Sequence, residues 1–167
     1  LALSTANLYR AVQAGGSLFG VRFRNPGDPS VAYAGQSSLY GTASDPMVGR
    51  KPGGVNVFGG GLALYAAGSN IVGGLGVSGD TSCADHDIAW RVRNYLDLDH
   101  LAGVGGVSGD AARPDNIKYD IVPNPDATGG TGQSPAGSGG VGTSPSGFGH
   151  PKCLNTADPS TLPVVRH

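Results

Sequence analysis

Two cysteines each stand three residues from a histidine: Cys83-Ala-Asp-His86 in mid-chain and His150-Pro-Lys-Cys153 near the end. Thiolate and imidazole are donors to soft and borderline metals, and thiols also pair with each other, so three readings are open. A Cys83–Cys153 disulfide would pin the tail to the rest of the chain. Closing a ~70-residue loop in this way is worth roughly 4 kcal/mol in the chain-entropy picture, and it implies an oxidising compartment. A Cys2His2 zinc site would use the same four residues, at a spacing unlike the usual finger. Two free thiols are the third reading. If the disulfide forms, it draws His86 and His150 into one neighbourhood. With Asp80, Thr81 and Asp85 they form a cluster of ligand-capable side chains. In the competing reading, His86 lies on the polar side of a helix, stacked on Trp90 four residues later, and binds nothing. His100 and His167 are expected at the surface without partners.

Catalytic signatures are missing. No G-x-S-x-G, H-E-x-x-H or G-x-x-x-x-G-K-[ST] string occurs, and the GGGLALY glycines lead into an apolar run of strand type rather than the helix a dinucleotide fingerprint needs. Asp97 and Asp99 read as solvated loop charges. Binding is therefore favoured over turnover.

The elements that must position the Cys/His cluster lie in residues 53–96. Val55–Phe58 and Leu62–Tyr65 are apolar runs of strand length, separated by Gly59, Gly60 and Gly61, which should form a sharp bend or bulge. Ala67–Asn70 is a turn and Ile71–Val77 a returning strand, so 62–77 is predicted to be a hairpin. Beyond Gly79 and Asp80 the period changes: Ala84, Ile88, Val92 and Tyr95 recur at helical spacing. Ser82 and Asp85 form an S-x-x-D capping box, which places the helix start near Cys83. Strand, glycine turn and helix start together are an arrangement on which ligands often bind, since first-turn N–H groups point outward.

Elsewhere, Leu3–Ala14 reads as a short helix with Ser4 as N-cap and Gly15 closing it. Ser17–Phe23 is a candidate strand ended by Asn25 and Pro26. Residues 25–53 hold four prolines and are predicted to be a long ordered loop with Tyr33, Leu39, Tyr40 and Met47 as apolar pins and Arg50-Lys51 as a solvated tip. GVSGD occurs at 76–80 and again at 106–110, in surroundings too different to mark a repeat. Asn116–Val122 alternates as an edge strand stopped by Pro123. Nine glycines between 129 and 149 make a tether or surface loop. The expected organisation is thus a domain over 1–125, a Gly/Ser/Pro-rich loop over 126–149 and a C-terminal tail, 150–167, pinned to the domain.

With 167 residues, of which 38% are hydrophobic, the chain can build one core. Only 14% of residues are charged and the net charge is −1, so neither a nucleic-acid footprint nor a polybasic membrane patch is present. No run approaches the ~20 apolar residues of a membrane span.

GGVNVFGGGLALY followed by IVGGLGVSGDTSCADHDIAWRVR, with ALSTANLY, GGSLFG and GHPKC as looser matches, resembles the GlcG/HbpS-like family of haem-binding and haem-degrading domains, in particular a secreted branch with the GDTSCADH string. The resemblance implies an α/β (α+β) domain with an antiparallel sheet flanked by helices, often assembled into dimers or octamers, that binds haem or haem-derived iron at subunit surfaces. It puts Asp80 and Thr81 at the ligand-side turn. His86 and His150, as haem or metal ligands, come from their chemistry and are not family positions. Family domains open with a helix and hairpin that this chain lacks ahead of Leu1–Ala14. Leu1 is accordingly expected not to be a native terminus, and a second chain or a homo-oligomer partner is expected to complete the sheet; a fully covered sheet would refute that.

The reading is thus a periplasmic or secreted domain binding haem, a related tetrapyrrole or a metal ion, with His86→Ala expected to weaken haem binding several-fold. Its rivals are an accessory subunit of a larger secreted assembly and an enzyme acting on a small organic molecule at the 80–86 turn.

Overall fold

The computed structural model describes residues 1–121, 143–154 and 157–167. Most of the expected 126–149 loop, and the last residue of the expected strand at Val122, lie outside the described residues.

The chain divides into two compact units, Leu1–Phe19 with Val57–His167, and Gly20–Asn56. The first is α+β. Its sheet is an antiparallel hairpin of β1 (Gly61–Ala66) and β2 (Asn70–Gly76). Turn residues Gly68 and Ser69 take positive φ, 77° and 60°, which turns the chain tightly enough to pair Ala66 with Asn70. A register shift between Leu64 and Tyr65 marks a bulge. The free side of β1 pairs with the segment after the long helix: Tyr65 N–H donates to Leu98 O at 2.8 Å and His100 N–H to Tyr65 O at 3.1 Å.

At the N-terminus a 3₁₀ turn, Thr5–Asn7, leads into α1 (Leu8–Ala11), and Asn7 Oδ1 accepts both Ser4 N–H and Ser4 Oγ–H at 3.0 Å. The predicted helix is therefore present but shorter than 3–14, the chain leaving it at Val12, ahead of a Gly15 with φ 72°.

The glycine triplet bends the chain because three neighbours press on it. A β-carbon on Gly59 would lie 1.9 Å from Ser82 O, one on Gly60 2.1 Å from Val77 O, and one on Gly61 2.4 Å from Thr5 Cγ2. Gly60 also has φ 103°, closed to L side chains. Helix start, end of β2 and N-terminal turn thus converge on backbone that must be bare. The approach segment Val55–Phe58, predicted to be a strand, is irregular instead.

The longest helix is Ser82–Tyr95, called α4 because α2 (Val21–Arg24) and α3 (Pro29–Ala32) precede it in the second unit. Its N-cap is Thr81, whose Oγ1 accepts Ala84 N–H at 3.3 Å. The predicted capping box was one residue late: Ser82 Oγ accepts Gly59 N–H at 2.9 Å, and Asp85 Oδ1 accepts Asp80 N–H at 3.1 Å. Ser82 thus binds the glycine corner and Asp85 the loop entering the helix. The core gathers Ala2, Leu62, Tyr65, Ala89, Trp90, Leu101, Leu162 and Val165 between α4, the hairpin and the C-terminal segment. Trp90 Nε1–H donates to Pro163 O at 2.9 Å, and Arg113 Nε–H to Leu162 O at 2.7 Å.

The two GVSGD copies differ in backbone, with Gly79 at φ 158° and Gly109 at 83°, as expected of a chance recurrence. Asn116–Ile121, predicted to begin an edge strand, joins no sheet among the described residues; its side chains and carbonyls bind α4 and the tail instead.

The second unit is built from turns. Asp28 caps α3, accepting Ser30 N–H at 2.9 Å, and Asp45 accepts Gly41 N–H at 2.7 Å and Met47 N–H at 2.8 Å. The Ser30 hydroxyl, donating to Asp28 at 2.6 Å, and then these backbone N–H groups hold both carboxyls below the ordinary carboxylate range. Gly27 and Gly53 bridge its ends. Val21–Arg24 is helical where Ser17–Phe23 is predicted to be a strand, since Gly20, at φ 94°, starts a turn. Tyr33, Leu39, Tyr40 and Met47 are exposed rather than pinning the loop, Tyr33 by 80%.

Candidate ligand groove and disulfide site

Cys83 occupies the first turn of α4, where the helix faces the 143–154 segment. The structure joins it to Cys153, with a Cα–Cα distance of 6.1 Å. His150 comes to the same place: its ring nitrogen and both sulfurs lie within 4.8 Å of one another. His150 is buried, held between Tyr9 (5.2 Å between ring centroids) and Tyr119 (6.5 Å). Its Nδ1–H donates to Pro151 O at 2.7 Å, which leaves the lone pair on Nε2. Burial pushes its pKa below the ordinary histidine value, so the ring is neutral at neutral pH.

His86 does not join this group. It is fully buried one turn further along α4, and its ring lies 5.8 Å from that of Trp90. The expected ring neighbour is present, but the rings are tilted by 45° rather than stacked, and they lie on the core side of the helix instead of the polar one. Nε2 lies 3.1 Å from both Asn116 Oδ1 and the Ile117 backbone nitrogen; Ile117 N–H also donates to Asn116 Oδ1 at 2.9 Å, while Asn116 Nδ2 donates to Pro159 O at 2.9 Å. Nδ1 is buried with no partner among the described residues. Burial drives the pKa of His86 down to about 4, so it too is neutral.

Asp80 and Thr81 stay exposed on the turn before α4, where Thr81 N–H donates to Asp80 Oδ1 at 2.6 Å. The cluster read from the sequence therefore separates: Asp80 and Thr81 at the surface, Asp85 buried beneath them, His150 with the cysteines, His86 in the core.

Several organising residues carried no signal of their own in the sequence. Arg93 and Asp115 form a fully buried pair, Nη1 to Oδ2 at 2.6 Å and Nη2 to Oδ1 at 2.9 Å. Arg93 also donates to Ala63 O at 3.1 Å and stacks 4.5 Å over Trp90. Asp99, expected to be solvated, is 1% exposed and accepts from Asn94 Nδ2 at 2.7 Å and from Arg166 Nη1. His100 is not partnerless: its Nδ1 meets His167 O at 2.6 Å and its Nε2 lies 3.3 Å from Asp97.

An open apolar groove of about 370 Å³ is lined by Leu3, Leu8, Leu62, Ala63, Gly73 and Leu75, among others. Strand alternation puts Leu62, Leu75 and Gly73 on one face. Gly73, Gly74 and Gly76 have no positive φ. A β-carbon would meet nothing closer than 3.9 Å at Gly73 or 3.8 Å at Gly74, and nothing at all at Gly76. Neither backbone angle nor internal packing requires glycine there, although glycine weakens a strand and often marks close approach of a ligand or another backbone.

The family model described as haem degrading protein HbpS-like matches residues 2–93. The chain belongs to this HbpS-like family. The match spans the N-terminal turn, the glycine corner, the whole hairpin and nearly all of α4, so the groove lies inside it and Cys153, His150 and Asp115 beyond it. No curated protein and no solved structure matches the chain.

A tetrapyrrole is a flat apolar plate with polar edges. The groove of this HbpS-like chain fits such a face, with bare strand backbone at 73–74 and leucines around it. The two histidines do not fit as axial ligands in this conformation, since His86 is wholly enclosed and His150 nearly so.

Proposed function

We propose that this HbpS-like chain binds haem or a related tetrapyrrole by laying the macrocycle face against the β2 glycines. The observation that carries this reading is the run of strand glycines that the chain's own packing does not require, beside an apolar groove. Leu3, Leu8, Leu62 and Leu75 supply the apolar contacts. Exposed Asp80 and Thr81 at the far end of β2 are proposed as polar rim contacts, and His86 and His150 as structural supports of the fold rather than ligands to the iron. The reading is of a binding module working outside the cytoplasm, where the Cys83–Cys153 disulfide is stable. Among the described residues, no helix is long and apolar enough to cross a membrane.

A second reading rests on the same strand. Ile71 and Val72 of β2 are 67% and 58% exposed, and among the described residues no strand pairs with the outer edge of β2. A strand from a second copy, or from another chain in a secreted assembly, would pair there and cover them.

Haemin titration of the oxidised chain, with Gly73→Leu as the test variant, separates the two. Haem binding that Gly73→Leu weakens, in a chain that runs as a monomer, supports the first reading. A haem-indifferent oligomer supports the second.

A further inference from the structure

We propose that Cys83, Cys153 and His150 form, when the disulfide is reduced, a binding site for a divalent d¹⁰ metal ion of the zinc class, the disulfide being the metal-free oxidised state of that same site. Three borderline or soft donors within 4.8 Å of one another make the set, among the described residues. In a tetrahedral zinc centre with Zn–S near ~2.3 Å the two sulfurs stand about 3.8 Å apart. The Cα atoms are 6.1 Å apart, so rotation about the cysteine side chains provides that opening without backbone movement. His150 is already arranged as a ligand. Its Nδ1–H is tied to the Pro151 carbonyl, the outer bond that orients metal-binding imidazoles, and Nε2 carries the lone pair. Tyr9 and Tyr119 hold the ring in place. Two thiolates balance the charge of a divalent ion, so the filled site is neutral, as a buried site in low dielectric favours. His86 stays outside, its Nε2 committed to Asn116. The site therefore offers three protein ligands.

The chemistry balances. A dithiol reductant passes two electrons and two protons to the disulfide, giving two protein thiols and its own cyclic disulfide. Zinc then displaces two thiol protons and binds two thiolates and the imidazole. In reverse, a disulfide donor takes two electrons from the two thiolates and two protons from solvent, the protein S–S bond re-forms, and Zn²⁺ leaves.

The test uses the full chain, reduced with a phosphine under anaerobic conditions and titrated with Co²⁺ as the spectroscopic probe, then with Zn²⁺ against a chromophoric chelator. The expected result is one metal per chain with thiolate-to-cobalt charge-transfer absorption, and release of the metal to the chelator when the thiols are reoxidised. His150→Gln should keep the charge-transfer band and lose roughly tenfold or more in affinity. His150→Asn serves as the second variant, and circular dichroism checks the fold of each. The proposal is overturned if the reduced chain binds no metal, whether folded or unfolded. It is equally overturned if the oxidised chain binds as well, or if both folded His150 variants bind like the parent.

Discussion

At the scale of single residues, the stability of this molecule rests on polar groups taken wholly out of water. Arg93 and Asp115 make a bidentate pair with no exposure on either side. Removing one partner leaves the other charge buried, which typically costs about 3–5 kcal/mol. Asp115→Ala should therefore lower the free energy of chemical unfolding by roughly 3–5 kcal/mol, whereas the same change at exposed Asp80 should be close to neutral. His86 gives a pH dependence of definite sign. Its pKa falls from 6.5 to about 4 on folding, so between those values the unfolded chain binds the extra proton. The stability it contributes is complete above pH 6.5 and is lost as pH falls toward 4, on the order of 3 kcal/mol in all. Burial shifts His150 in the same direction. Unfolding measured at pH 7 and pH 4.5 should show this loss, and His86→Gln should flatten it. These residues were the least legible in the sequence. Asp99 and Asp115 look alike as letters, and only the partners brought by Arg166 and Arg93 from distant segments decide that both are buried.

Elements were more legible, because their signals are local. The hairpin at 62–77 and the helix from 82 follow from period and turn residues, and the structure has them at Gly61–Gly76 and Ser82–Tyr95. The cap was misplaced by one residue because Thr81, Ser82 and Asp85 all have capping chemistry, and the competition is settled by Gly59 and Asp80 arriving from outside the helix. Ser17–Phe23 is not a strand, since Gly20 admits a left-handed turn and, among the described residues, no neighbouring strand is available to reward an extended chain. The glycine corner was legible as a bend but not as a junction. Its close approaches imply that Gly60→Ala, which places a β-carbon 2.1 Å from Val77 O at φ 103°, should cost well over ~1 kcal/mol. Thermal unfolding should show this as a clear drop in midpoint, while Gly76→Ala, with open space around it, should barely move it.

At the scale of the whole molecule, family membership and the apolar groove converge on the face of the hairpin, while the disulfide and His150 form a separate site on the 143–154 segment. The Cys83–Cys153 bond is one of the three readings the sequence left open, and the α+β class is the one the family resemblance implied. The separation of His86 from His150 was not legible there, since it depends on which way one helix face turns and on Asn116 holding the imidazole. Strand glycines were visible as letters, yet their meaning required knowing that nothing inside the chain crowds them. The measurement that tests the account most directly is a haemin titration of the oxidised chain, followed by Soret absorbance, for the parent and for Gly73→Leu, with mass in solution recorded alongside. The parent should bind saturably, and Gly73→Leu should weaken that binding several-fold at unchanged fold and mass. Binding indifferent to Gly73→Leu, or no binding beyond nonspecific adsorption, would contradict it.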